Sequence, residues 1–595
     1  MGDADYAVFN SFKTGVTLGV LQPMPRTPAV FEEQVKWKRG FDPFADPSLF
    51  ASNYKSLGEH LGAVEEQFRL EQEEGMMLEM DWEDFVARFG TNYAISALAV
   101  LQEGEKLRVL HDGSNTTMVN HRIRPWDKVR MPGFRELQFL LRMFQAERRI
   151  PVSVVGDVSK AHRRVKIDPL EQGYQSCQLR PGKVWVNRVG TFGMVPISYW
   201  WSRLSGGLLR AVYGMLGSTR PVEILWYADD LNMMGCGKEE RRAMVLVLFF
   251  LAITGVPMKQ AKFRGGYQYD WIGLTVDMQF YAVGISAARA QWLVRWLTEA
   301  VEAPTVRARV VAGALGRLGF AVTALTYEKT FLGPLYLWVS AMLRAGKEVV
   351  TLPWAVRLIF AWLAHRLAGA GRLQQVRPLA EHRGELFRSD AKAEGGIATI
   401  GGWECMHGTP ASGARWFYLE VESSWAPWAF AKASDPGRVI AALELLGTIL
   451  CVKLFSDRWG ECFAGGCTVT GSADNRGNSF VTMKLMSTKW PLTVLLMELS
   501  ETLRAREAEL RLDWVRREFN TEADAITNQE FAAFDPLLRI QVEGAAIPWL
   551  VLPAFMEASQ RLYDEIVCER AGATGNGPRR RRGATTKLRT MDPWQ

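Results

Sequence analysis

The sequence predicts a multidomain protein of α+β and α/β class, and three observations carry that reading. The chain has 595 residues, several times the usual ~100–150 residue domain. Short strand-like runs with Gly-containing turns alternate with helical stretches over residues 101–275. The same alternation returns from about Phe387, after a mainly helical interval at 280–375 rich in Ala, Leu, Trp and Arg.

Composition narrows the class. Hydrophobic residues make up 48% and charged residues 23%, with 22 Trp and 30 Phe, which is the make-up of a packed chain. The net charge of +7 favours polyanionic partners. The seven Cys show no paired CxxC spacing, so neither a disulfide framework nor a structural zinc site is indicated. Cys451, Cys462 and Cys467 are read as ordinary thiols. Met244–Val256 reads as the most apolar run and is too short to span a bilayer. No basic region followed by a long apolar stretch opens the chain. The expectation is an intracellular protein with no membrane partner.

The elements follow in order. Residues 1–95 form a region of uncertain fold, with a loose helical period at Ala63–Leu78. Residues 376–389 are polar and basic and read as a linker. Helices are expected at 438–450 and 492–511, the second with Leu492, Leu496, Leu499 and Leu503 on one face and a Glu507–Arg511 pair at i,i+4. The tail from Ala571 is Gly-rich, then basic at Arg579–Arg582, and is expected to be disordered.

Two acidic constellations carry chemistry. Val152-Ser153-Val154-Val155-Gly156-Asp157 reads as a strand ending in an acid. In Val222–Met234, apolar arms flank Tyr227-Ala228-Asp229-Asp230, the pattern of a β-hairpin with two acids at its tip. Adjacent carboxylates repel, and burying either alone is costly. Mg²⁺, with Mn²⁺ as an alternative, removes that cost through oxygen ligation. Two such ions ~4 Å apart activate an attacking hydroxyl and stabilise a leaving pyrophosphate. Asp157 is the candidate third ligand. Lys106 and Arg108 alternate onto one strand face, which suits two contacts to one anion.

These segments together resemble the reverse-transcriptase family, particularly polymerases of long-terminal-repeat and tyrosine-recombinase retroelements. Tyr227-Ala228-Asp229-Asp230 matches the family's Tyr-x-Asp-Asp box in full. Asp157 stands at its earlier metal-binding position. Phe192-Gly193-Met194, followed by Tyr199-Trp200-Trp201, looks like the segment that contacts template and nucleotide. Lys262, after Gly255-Val256-Pro257, looks like the basic residue of the next motif, and Trp271-Ile272-Gly273-Leu274 like the turn before the primer grip. Lys106–Asp112 and Val119-Asn120 resemble the fingers strand, whose basic residues neutralise the triphosphate. His162 departs from the family, which usually has an aromatic ring there to block a 2′-hydroxyl. The resemblance implies a right-hand palm-fingers-thumb polymerase. Residues 96–280 would be fingers and palm, and 281–375 thumb or connection helices. Arg307, Arg309, Lys329 and Arg344 would track phosphates.

The second constellation lies at 386–535. Asp390 opens a polar, small-residue strand. Glu444 is the one acid in an apolar helix, where an acid usually sits at the solvent edge. Asp474 lies in Ser472-Ala473-Asp474-Asn475-Arg476, and Asp524 in Asn520-Thr521-Glu522-Ala523-Asp524. Four such acids can build a two-metal site for phosphodiester hydrolysis. N-terminal capping is the rival role for Asp524. Their order resembles the ribonuclease H domain of the same retroelements, which implies a mixed-sheet domain followed by an extension at 536–595. The implied activity is DNA synthesis on RNA or DNA templates from deoxynucleoside triphosphates and a DNA primer, with cleavage of RNA in RNA–DNA hybrids. The alternative is a retroelement-derived protein that binds nucleic acid without catalysis.

Overall fold

The computed structural model describes residues 2–28, 32–35, 49–104, 106–115, 117–377, 384–459, 467–572 and 594. Cys462 and the basic run Arg579–Arg582 lie outside them. The architecture is multidomain α/β, and the described residues fall into two compact units, one within 2–137 with 151–272 and the other within 138–150 with 273–572.

In the first unit, β1 (Ala97–Glu103) and β2 (Lys106–Asp112) form an antiparallel hairpin. The strands β3 (Val152–Asp157), β4 (Glu223–Tyr227), β5 (Asp230–Gly235) and β6 (Arg264–Gly266) form an antiparallel sheet in the order β4-β5-β3-β6. Helix α1 (Val195–Leu216) precedes β4 and α2 (Lys238–Ile253) follows β5. Strand alternation explains the packing. Leu231 and Met233 of β5 enter a core with Trp200, Trp226, Met244, Val247 and Leu251. Between them, Asn232 turns the other way and accepts a hydrogen bond from Ser153 Oγ at 2.7 Å.

Two local expectations change in this unit. The helix at Leu61–Glu73 ends before Met77–Asp81, which is a strand paired with Lys183–Asn187. The helical period at Ala63–Leu78 therefore ran past its true end, where Gly75 takes φ +73°. Val119–Arg122 is one helical turn, not strand.

The second unit begins with helices α3 (Ala287–Glu302), α4 (Ala308–Ala321), α5 (Leu332–Arg344) and α6 (Trp354–Ala368). Arg307, Arg309 and Arg344 are exposed among them and Lys329 is half-buried. A five-stranded mixed sheet follows, built from β7 (Phe387–Glu394), β8 (Ile397–Glu404), β9 (Trp416–Val421), β10 (Cys467–Ala473) and β11 (Ala508–Trp514). Its order is β9-β8-β7-β10-β11, antiparallel on the β8 and β9 side and parallel from β7 through β10 to β11. Helix α7 (Ile440–Phe455) precedes β10, and α8 (Arg476–Lys484) and α9 (Leu492–Ala505) connect β10 to β11. The short α10 (Thr521–Thr527) and the long α11 (Leu552–Gly572) close the unit.

Successive glycines let helices close on both faces of this sheet. A Cβ on Gly401 would stand 2.6 Å from Ile526 of α10, and one on Gly402 would stand 2.6 Å from Cys451 of α7. Glu498 of α9 is fully buried. It accepts the amides of Leu550, Val551 and Leu552 and pairs with Lys453 at 2.9 Å, which fixes the start of α11.

The stretch Pro436–Trp459 is long and apolar enough to cross a membrane by length and composition, and 72% of its most apolar window is buried. It replaces Met244–Val256 as the most apolar run. A helix covered by the sheet on one side and α9 on the other needs no polar face. The expected helix 492–511 stops at Ala505, because 508–514 pairs as a strand with β10. Glu507 sits in the turn at φ 53°, and Arg511 pairs with Asp513 at 3.0 Å, so the helical Glu507–Arg511 pair does not form. Leu492, Leu496, Leu499 and Leu503 are all buried, but so is every residue from Leu492 to Leu503, so these leucines do not form a single buried face.

Candidate active sites

In the first unit the strand register does the positioning. Asp157, last in β3, pairs across the ladder with Asp230, first in β5, and Tyr227 pairs with Asp230 across the hairpin. Asp229 lies at the two-residue tip beside Ala228, whose φ is +48°. Trp201 Nε1 donates to the Ala228 carbonyl at 2.7 Å, and the amide of Val158 donates to the Asp229 carbonyl at 2.9 Å. The tip is thus tied to α1 and to the end of β3.

Asp157 is buried and bound by two cations. Lys259 reaches Oδ1 and Lys262 reaches Oδ2, each at 2.6 Å. Burial raises its pKa, but the bonds from Lys259 and Lys262 outweigh it and hold the carboxyl below its usual value. Asp230 is pushed up by burial, then by the charges of Asp229 and Asp157. Lys259 was not singled out in the sequence. Its amide donates to the Asp157 carbonyl at 2.8 Å, because the chain at 257–259 runs beside 157–159. The signal available was its spacing, three residues before Lys262 around a 3₁₀ turn.

The β1–β2 hairpin and the helical turn Val119–Arg122 meet the Phe192-Gly193 turn. The amide of His111 donates to the Phe192 carbonyl at 3.2 Å. A Cβ on Gly193, at φ +103°, would stand 1.9 Å from the His111 carbonyl oxygen, so only glycine fits. Asn120 fastens this contact. Its Nδ2 donates to the Gly193 carbonyl at 2.6 Å and its Oδ1 accepts from the Val195 amide at 2.9 Å. Arg108 and Phe192 line one cavity of about 190 Å³ with Lys160 and Arg163. Lys106 is exposed on the same strand face and lies outside that lining. The His162 ring stands 5.2 Å from the Phe192 ring. Burial lowers its pKa against the opposing charge of Asp229.

In the second unit three of the four predicted acids converge. Asp390 of β7, Glu444 of α7 and Asp474 just past β10 bring ligand oxygens within 4.8 Å of one another. Glu444 is not at a solvent edge; it is 3% exposed. Thr527 Oγ1 donates to Asp390 Oδ2 at 2.8 Å, while Asp390 Oδ1 and Glu444 Oε2 are buried without a hydrogen-bond partner. Burial, then the charges of Asp474 and Asp524, raises Asp390 to about 6 against the Thr527 bond. Burial and the charges of Asp390 and Asp474 push Glu444 well up. Asp474 accepts from Arg517 Nε at 3.1 Å.

Asp524 stands outside this group. It lies inside α10, whose N-cap position is Asn520, so it is not the cap either. Its Oδ2 accepts from Asn528 Nδ2 at 3.0 Å, and it acts on Asp390 through charge.

Three carboxylates with two unpartnered buried oxygens fit a hard divalent cation, which prefers oxygen donors and offsets their repulsion. Asp390, Glu444 and Asp474 form a candidate acidic metal-binding triad. Among the described residues, Asp157, Asp229 and Asp230 do not form such a close group.

No protein-family model matches the chain. No curated protein matches it. Among solved structures it is similar to the foamy viral protease-reverse transcriptase in complex with RNA/DNA hybrid, at TM-score 0.43 and 12% identity, covering 82% of this chain and 57% of that one. The complex of that protein with dsDNA gives TM-score 0.43 and 12% identity, over 82% of this chain and 90% of the other. A dRH form with dsDNA gives 0.42 and 11%, over 82% and 75%.

Proposed function

We propose that this chain synthesises DNA on an RNA or DNA template and hydrolyses RNA in RNA–DNA hybrids. The observation that carries the reading is the register that sets Asp157 opposite Asp230 at a hairpin tip bearing Asp229. The buried triad of the second unit supports the nuclease half. When bound, Mg²⁺ or Mn²⁺ would supply charge neutralisation and activation of the attacking oxygen at each site. The chain's own residues do the rest. Asp157, Asp229 and Asp230 would hold the cations of the first site, and Lys259 and Lys262 would leave Asp157 for the phosphates of the nucleotide. Lys106 and Arg108 would bind the triphosphate, Phe192 and Gly193 the template and base. Thr527 fixes one oxygen of Asp390, leaving the other for a ligand. Asp524 would act from outside, through its charge.

Primer extension and cleavage of the labelled RNA strand of a hybrid test the two halves separately. Asp229→Asn should remove extension and spare cleavage. Glu444→Gln should remove cleavage and spare extension. Wild-type-like extension by folded D229N rejects the polymerase reading, and wild-type-like cleavage by E444Q rejects the nuclease reading. A second reading, duplex binding without catalysis, draws on the two lysines that already neutralise Asp157. Tight primer-template binding with no incorporation in either Mg²⁺ or Mn²⁺ would favour it.

A further inference from the structure

Arg517 faces the acidic triad. It opens a 3₁₀ turn just after β11, and its Nε meets Asp474 Oδ2 at 3.1 Å. Its side chain is 73% exposed, against 11% for Asp474. The charge of Asp474 acts on it most strongly, with Asp390 and Asp524 adding to the pull. The neighbouring Arg516 turns to Glu518 at 3.3 Å, so the two arginines diverge along the chain. Asp474 is itself held in place, because Trp514 Nε1 donates to its carbonyl at 2.9 Å and the next residue, Asn475, caps α8.

This geometry joins a fixed, mostly buried carboxylate to a solvated guanidinium. Such a pair contributes little net stability, so the arginine is easily displaced. A divalent cation entering the triad would compete for the same carboxylate. A guanidinium released there is suited to a phosphate, whose oxygens match its fork of donors.

We propose that Arg517 is a displaceable counter-ion of the triad. It occupies Asp474 before the metal arrives and turns to the phosphate of the RNA strand when the metal takes its place. The proposal rests on the reading of the triad as a metal-dependent nuclease site. It makes metal affinity and substrate affinity depend on Arg517 with opposite signs.

The test titrates the full chain with Mn²⁺ alone by calorimetry. The difference between the unmodified protein and E444Q isolates the triad from the acids of the first unit. Arg517→Gln should bind Mn²⁺ about two- to fivefold more tightly at the triad, the gain expected from freeing one exposed ion pair. The same variant should raise KM for hybrid cleavage, and Arg517→Lys should lie between. Loss of packing alone would weaken both. Unchanged or weaker Mn²⁺ binding by R517Q, with E444Q-sensitive binding intact in the unmodified chain, overturns the role of Arg517 and leaves the nuclease reading standing. Absence of E444Q-sensitive Mn²⁺ binding in the unmodified chain overturns both.

Discussion

The indole Nε1 of Trp201 donates to the carbonyl of Ala228 at 2.7 Å, joining α1 to the tip of the acidic hairpin. Ala228 takes φ +48°, a backbone region that costs a non-glycine residue energy unless the surroundings hold it. Trp201→Phe would keep an aromatic ring in the core and lose that hold. The expected destabilisation is about 1–2 kcal/mol, with a larger proportional loss of primer extension than of hybrid cleavage. Denaturant midpoints and both assays on one preparation check this. Equal losses in the two assays would make Trp201 a core residue only.

His162 stands 5.2 Å from the Phe192 ring, beside the charge of Asp229. If this imidazole borders the nucleotide sugar, a larger ring should exclude a 2′-hydroxyl better. His162→Tyr is expected to raise the ratio of kcat/KM for deoxynucleotides over ribonucleotides. An unchanged ratio places the sugar gate elsewhere.

Lys106 and Arg108 share an exposed strand face, and Arg108 reaches the cavity that Phe192 lines. Lys106→Gln and Arg108→Gln should each raise the nucleotide KM more than they weaken template-primer binding. Arg108→Gln should have the larger effect. Loss confined to duplex affinity would put both side chains on nucleic acid instead.

Asp390 is raised from 3.8 to about 6, by burial first and then by Asp474 and Asp524. Between those values the folded chain binds more protons at this site than the unfolded chain does. Its favourable contribution is therefore full below the unfolded value and is lost as pH rises through about 6. Metal-free Asp390→Asn should melt above the unmodified chain at pH 7, and the gap should close towards pH 4. Added Mg²⁺ should narrow the gap at pH 7, since any binding at the first site is common to both chains while binding at the triad stabilises only the chain in which the triad is complete. Melting curves across pH decide the matter. A lower Tm for D390N at pH 7 would mean that the carboxylate is paid back by contacts within the protein.

The strand ending at Asp157, the hairpin of 222–234 and the apolar helix around Glu444 were legible in the sequence. Each is a local pattern, apolar residues at strand or helix period with acids at the ends or inside. Helix ends were less legible. The period around 492–511 continued past Ala505, yet pairing of 508–514 with β10 drew those residues into the sheet. Tertiary structure alone decided which acids meet. Asp390 comes from a strand, Glu444 from a helix and Asp474 from just past the end of another strand, and a helix packed over the sheet at Gly402 brings them within reach. Asp524 has a similar sequence setting but lies inside α10, where its carboxylate bonds Asn528. Lys259 could be picked out by its spacing to Lys262, but its partner Asp157, like the partner Asp474 of Arg517, was hidden, because both contacts join segments distant in the chain. Sequence determines the period and charge of each element; the side-chain partners of a charge depend on which elements pack together.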